Sequence, residues 1–129
     1  MGVDLVRVAD VGDSVLQFGD RYLHRIYTDH ELDCCQGPLN VSAQGLAARF
    51  AAKEAAVKVL RPPIFGPRPD WRSIEVHRHA DGWCGLELRG HAARLAEVAR
   101  VESLAVSLSH EGGLAGAVVV ALCAQEADR

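Results

Sequence analysis

Arg49-Phe50-Ala51-Ala52-Lys53-Glu54-Ala55-Ala56-Val57-Lys58 is an alanine-rich stretch carrying four charges where a plain core helix needs few. Ser42 precedes it, Gly45 is the sole glycine between Ala43 and Leu60, and Pro62-Pro63 ends it. These are start and stop signals, so the sequence predicts a helix over 43–60. At about 100° per residue, Leu46, Phe50, Val57 and Leu60 form one apolar stripe. Lys53 falls inside that stripe and Glu54 on its edge. Arg49 precedes Lys53 by one turn and Glu54 precedes Lys58 by one turn, giving two adjacent rows of charge. A lysine in a packed face is costly unless its ammonium reaches a carboxylate, a phosphate or water. Two readings follow. One is a snorkelling lysine beside surface ion pairs; the other is a helix offering a carboxylate and three cations to an anionic ligand and its metal.

Outward from this helix, Val3 to Val8 reads as a strand, with Asp4 on the same face as Val6 and Val8. Asp10 to Tyr27 reads as a helix with Leu16, Leu23 and Ile26 inward and with Arg21 and Arg25 one turn apart. Thr28 to Asn40 reads as a loop with a helical turn at Asp29–Glu31, and the proline-rich segment 61–72 as a stiff connection. Alternation predicts a strand over 73–77, a turn at Asp81-Gly82, and a return strand through Leu86 and Leu88. A helix over 91–100 and a strand through Leu104, Val106 and Leu108 follow. Ala115 to Leu122 is apolar throughout, so this last strand should be buried on both faces, centrally or against another subunit. Residues after Cys123 read as a frayed tail. The order β-α-α-β-β-α-β-β predicts an α+β fold with helices on an antiparallel sheet, and 129 residues suit one domain, 1–129.

Aromatic residues make up only 5%, so the core must be mainly aliphatic. A formal charge of −3 argues against broad nucleic-acid binding but leaves room for a local basic patch facing an acidic partner. No apolar run approaches the roughly 20 residues that span a bilayer. No charged leader and apolar core open the chain, so a cytoplasmic protein with free Cys34, Cys35, Cys84 and Cys123 is expected.

Three separated pieces are candidates to meet: Asp4, Glu54 with its lysines, and Ser109-His110 at a strand end. Two carboxylates from different elements suit magnesium, which keeps waters and takes further ligands from phosphates. Neighbouring lysines suit a diphosphate, whose oxygens gain charge during transfer. The alternative for each is ordinary: a solvated edge carboxylate, or a structural histidine. His77-x-His79 puts two imidazoles on one strand face, but no Cys, Asp or third His is spaced to complete a zinc site. No Walker or dinucleotide-binding motif is present.

Gly2-Val3-Asp4-Leu5-Val6, the run 49–58, Ile74-Glu75-Val76 with Gly82, and Val106-Ser107-Leu108-Ser109-His110-Glu111 with Ala117-Val118-Val119 together resemble the holo-acyl-carrier-protein synthase family. These are the short 4′-phosphopantetheinyl transferases. The resemblance follows chain order over nearly the whole sequence, and the R-F-A-x-K-E-A-x-x-K run is its specific part. It implies a 4′-phosphopantetheinyl transferase-like fold with one long central helix. It also implies magnesium-dependent transfer of phosphopantetheine from coenzyme A to a serine of an acyl carrier protein, releasing adenosine 3′,5′-bisphosphate. By position, Asp4 and Glu54 correspond to the metal carboxylates, with Glu54 helping to deprotonate the serine. Lys58 corresponds to a contact with the diphosphate, and Arg49, Lys53 and His110 to the groups that hold the phosphates and the adenosine end. Arg21 and Arg25 are left to face the acidic carrier. The resemblance further implies a homotrimer with sites between subunits.

The chain departs from the family pattern in three places. Arg61-Pro62-Pro63-Ile64-Phe65-Gly66 replaces a Gly-Thr-Gly-like turn, Gly82-Trp83-Cys84 replaces Gly-x-Pro, and Asp10 stands where a basic residue is frequent. The carrier could thus belong to fatty-acid, polyketide or peptide synthesis. Two other functions remain open at this stage: a non-catalytic protein that binds carrier or coenzyme A, and a magnesium-dependent diphosphate hydrolase.

Overall fold

The computed structural model describes residues 1–36 and 42–125. In chain order the elements are β1 (Gly2–Arg7), α1 (Val8–Phe18), α2 (Asp20–Ile26), α3 (Asp29–Cys34), α4 (Ala43–Leu60), a 3-10 turn (Trp71–Ser73), β2 (Ile74–Arg78), β3 (Cys84–Leu88), α5 (Gly90–Val98), β4 (Val101–Glu111) and β5 (Leu114–Cys123). The sheets are antiparallel, one ordered β1-β5-β4 and the other a β2-β3 hairpin. The α+β architecture expected from the sequence is the one observed.

Helix α4 lies at the centre. Ser42 caps it by accepting from the Gly45 N–H at 3.1 Å, and Arg61 closes it in the left-handed region before Pro62. Its burial is not confined to the expected stripe. Eleven of its residues are buried, including Ala47, Ala48, Ala51, Ala52, Ala55 and Ala56. A helix surrounded on all sides needs small side chains wherever a neighbour comes close, and alanine supplies them at no cost in helix propensity. Gly2 makes the closest approach, since any Cβ there would collide with the Ala55 carbonyl oxygen. That contact fixes where β1 starts relative to α4.

Two expectations for the first half are corrected. The helix expected over 10–27 breaks at Gly19, whose φ of 54° and ψ of −130° no ordinary L residue adopts readily. The break leaves Leu16 86% exposed, while Val11 takes the core position and Leu23 and Ile26 are buried as expected. The helical turn expected at Asp29–Glu31 within the loop over 28–40 is a longer helix, α3, started by a capping box in which Thr28 and Glu31 satisfy each other's backbone N–H. The rest of that loop, 37–41, and the end of the tail, 126–129, lie outside the described residues.

Strand β5 is central in its sheet, as expected, but only one of its faces is covered by the described residues. Ala115, Ala117 and Val119 pack on α4, while Leu114, Val118, Val120 and Leu122 are exposed, together with Val3 and Leu5 of β1. No described helix is long and apolar enough to cross a membrane.

Candidate active site

Because β1 alternates, Asp4 and Val6 point toward α4 while Val3, Leu5 and Arg7 point away. Asp4 therefore meets the face of α4 that carries Glu54 and Lys58. The Lys58 ammonium donates to Asp4 Oδ1 at 3.0 Å and to the Val3 carbonyl at 2.8 Å, yet its side chain stays 55% exposed. Asp4 Oδ2 is buried and has no hydrogen-bond partner among the described residues.

The carboxyl of Glu54 is pushed up to about 7 by burial first, then by the neighbouring Asp4 carboxylate; Lys58 and Arg68 pull the other way. Two adjacent carboxylates withdrawn from water repel one another unless they share a proton or a cation. An orphaned buried oxygen beside a carboxyl that ionises near neutral pH is a donor set that fits a hard divalent ion. Asp4 and Glu54, distant in sequence, do converge. Arg68 was not foreseen at this site; it reaches Glu54's field from the proline-rich segment expected to be only a connection.

The two rows of charge on α4 are not neighbours in function. Five residues separate Arg49 from Glu54 and Lys53 from Lys58, so the rows point about 140° apart. The expected phosphate contact for Lys53 is corrected by its surroundings. Its side chain is fully buried, and its ammonium lies 2.8 Å from Glu31 Oε1, 2.9 Å from the Trp71 carbonyl and 2.6 Å from the Ile74 carbonyl. Three acceptors use all three N–H donors. Burial pulls the Lys53 pKa down, and Glu31 opposes that pull. Glu31 Oε2 in turn accepts from the Val76 N–H at 2.7 Å. Lys53 is therefore a structural tie joining α4, α3 and β2. Arg49 also lies on this side: it is 9% exposed, its Nη1 donates to the Gly45 carbonyl at 3.2 Å, and its Nε is buried without a partner.

His110 is exposed near the end of β4, paired with Ala115, whereas Asp4 pairs with Ala117 on the far side of β5. Two strand spacings, about 10 Å, thus separate β1 from β4, and His110 does not join the carboxylates within one chain. Arg21 and Arg25 are exposed on α2, where with Phe18 and Tyr22 they line a cavity of about 440 Å³. Tyr22 also lines a cavity of about 470 Å³ that contains Asp10, Phe50 and Glu54. Lys58 faces a third cavity of about 540 Å³, with Leu60, Arg61, Pro63 and Leu95 in its wall. Glu54 thus borders one hollow and Lys58 another, while Asp4 lines a smaller one with Val3, Leu5 and Ser107, and Tyr22 is a wall shared by the Glu54 hollow and the one at the arginines.

This arrangement has counterparts. The family model described as the 4′-phosphopantetheinyl transferase superfamily matches residues 1–123. The holo-[acyl-carrier-protein] synthase of Chloroflexus aurantiacus is 44% identical over 130 residues, covering 93% of this chain and 95% of its own. The crystal structure of Helicobacter pylori holo-[acyl-carrier-protein] synthase in complex with coenzyme A superposes with a TM-score of 0.79 at 27% identity, covering 94% of this chain and 98% of that one. The coenzyme A complex of the synthase from Chronobacterium ammoniagenes gives 0.77 at 29% identity, covering 96% of each chain. By its sequence, its architecture and its matched length, the chain belongs to the holo-acyl-carrier-protein synthase family of the 4′-phosphopantetheinyl transferase superfamily.

Proposed function

We propose that the chain transfers 4′-phosphopantetheine from coenzyme A to a serine of an acyl carrier protein, with Asp4, Glu54 and Lys58 as its reacting centre. The observation that carries this reading is the Asp4–Glu54 pair: a buried, unpartnered carboxylate oxygen beside a carboxyl that ionises near pH 7. Asp4 and Glu54 would hold Mg²⁺, which when bound supplies positive charge to the diphosphate oxygens. Lys58, half exposed at the rim of its cavity, offers its ammonium to the same oxygens. Glu54 helps to take the proton of the carrier serine, directly or through a water. The serine oxygen then bonds to the phosphorus bearing the pantetheine, the P–O bond to the nucleotide breaks, and adenosine 3′,5′-bisphosphate leaves with the bond's electrons.

Arg21 and Arg25, exposed beside Tyr22, face the acidic carrier, and Tyr22 also borders the hollow that holds Glu54. A homotrimer accounts for the bare apolar face of Val3, Leu5, Leu114, Val118, Val120 and Leu122, and lets His110 of one protomer approach the centre of its neighbour. The setting proposed is the cytoplasm, where carrier proteins of fatty-acid or polyketide synthesis supply the acceptor.

The test incubates the protein with coenzyme A, Mg²⁺ and a panel of apo-carriers and follows carrier mass. A gain of one phosphopantetheine supports transfer. Binding of carrier with no mass gain would leave only a binding protein, and carrier-independent cleavage of coenzyme A would indicate a hydrolase. Sedimentation of Val118→Asp tests the assembly: a trimer in the parent and a monomer in the variant are expected.

A further inference from the structure

The His77-x-His79 pair finds a different set of partners from the one its spacing suggests. Glu75 and His77 lie on one face of β2, and Glu87 faces Glu75 directly across the hairpin. His77 Nδ1 is 3.9 Å from Glu75 Oε1 and 3.8 Å from Glu87 Oε1, and one donor atom from each residue falls within 4.8 Å of the other two. Nδ1 itself is inaccessible and has no hydrogen-bond partner among the described residues. A tetrahedral zinc-class ion with bonds of about 2.1 Å holds its ligand atoms about 3.4 Å apart, so the two His77 distances must shorten by about half an ångström and the carboxylates, within 4.8 Å of each other, by up to about 1.4 Å.

We propose that Glu75, His77 and Glu87 form a second divalent-cation site, of the zinc class, on the outer face of the β2-β3 hairpin. One imidazole with two carboxylates favours zinc, cobalt or nickel over the magnesium suited to Asp4 and Glu54. His30, from α3, stacks on His77 with ring centres 4.4 Å apart and planes 10° apart, fixing the direction of the ring. The His30 Nε2 atom accepts from the Arg78 N–H at 3.1 Å, so His30 orients and does not ligate. Glu75 is 7% exposed; burial pushes its pKa up, but hydrogen bonds from Thr28 and Arg89 outweigh that effect and keep it below the usual carboxylate range. Arg89 is the competitor for the site, at 3.3 Å from Glu75 Oε1 and 3.1 Å from Glu87 Oε2. Its side chain is 56% exposed and can swing into solvent while an ion takes its place between the carboxylates. An ion held there ties two strands together beyond their backbone ladder, with a fourth position left to water.

The experiment is calorimetric titration of Zn²⁺ alone into the full chain, with thiols kept reduced and Mg²⁺ in excess, alongside the visible spectrum of the Co²⁺ form. The expected result is one zinc per chain, a tetrahedral cobalt spectrum, and a raised thermal midpoint. His77→Ala and Glu87→Gln should each weaken binding about tenfold or more, with far-ultraviolet dichroism checking that each remains folded. Cys34→Ser should leave binding unchanged. Parent-like affinity in both His77→Ala and Glu87→Gln would overturn the proposal. So would loss of the ion in Cys34→Ser alone, which would place it on Cys34 and His30, whose Sγ and Nε2 are 3.5 Å apart.

Discussion

The two sides of α4 carry similar charges into opposite settings. On one side, Lys53 is sealed from water, and every donor it has is used by Glu31, Trp71 and Ile74. On the other, Lys58 is half exposed, and Asp4 retains a buried oxygen with no partner. The first arrangement is complete, and a polyanion could gain nothing from it without dismantling the core. The second is incomplete in a specific sense: negative charge is concentrated without enough positive charge or protons to match it. The lesson is that charge within one sequence motif does not sort by sequence position. It sorts by whether the fold has already satisfied it.

The largest expected effect comes from breaking the complete side. Lys53→Met leaves Glu31 buried without its cation, and chemical denaturation should show a loss of about 3–5 kcal/mol, the usual cost of stranding one partner of a buried pair. Replacing both residues with apolar ones of similar volume, Lys53→Met with Glu31→Leu, should recover part of that loss. A Lys53→Met chain that kept full stability and lost only turnover would reverse the division drawn between the two sides.

Breaking the incomplete side should have the opposite profile. Lys58→Ala is expected to slow transfer about 10²–10³-fold, the range seen when one charge-stabilising donor is removed. Its unfolding free energy should stay within about 1 kcal/mol of the parent, because an exposed ion pair is worth little. Steady-state kinetics and denaturant titration on the same preparation separate these outcomes. An unchanged rate would remove Lys58 from the centre. A smaller effect is expected at Gly2. Gly2→Ala pushes β1 away from the Ala55 carbonyl and should cost about 1–3 kcal/mol. Because Asp4 rides on that strand, the same change should raise the magnesium concentration needed for half-maximal rate.

The parts of this arrangement that depend on local chemistry were legible in the sequence. Ser42, Pro62-Pro63 and the alternation of β1 set the ends of α4 and the direction of Asp4 with no tertiary information. The partner of Lys53 was not legible in that way. Thr28-x-x-Glu31 is a local capping signal that could have placed α3, but the carboxylate's second role depends on packing between three elements distant in sequence. The break at Gly19 was missed because the surrounding residues keep a helical period on both sides, and a glycine's backbone freedom leaves no mark in that period. The all-round burial of α4 was missed for a related reason. A stripe of large residues reports one face, whereas alanines pack on every face without announcing which. His110 belongs to a third case: its strand follows from alternation, which puts it on the face of Leu104, Val106 and Leu108, yet at the strand's end it is exposed.

The effect most specific to the incomplete side concerns the protein without metal. Glu54 ionises at about 7 in the folded chain, above the ordinary carboxylate value of 4.5. The folded state therefore binds more protons than the unfolded state between these two values, and this carboxyl's contribution to stability falls as pH rises through that window. Glu54→Gln removes the titration. With a chelator present, the variant should melt higher than the parent at pH 8 and close to it at pH 4, the difference opening between roughly pH 4.5 and 7. Magnesium should narrow the gap at pH 8 by stabilising the parent alone, with proton uptake or release on titration measuring the same carboxyl directly. A variant less stable than the parent at pH 8 would mean that Glu54 is already matched by Lys58 and Arg68, and the contrast between the two sides of α4 would no longer hold.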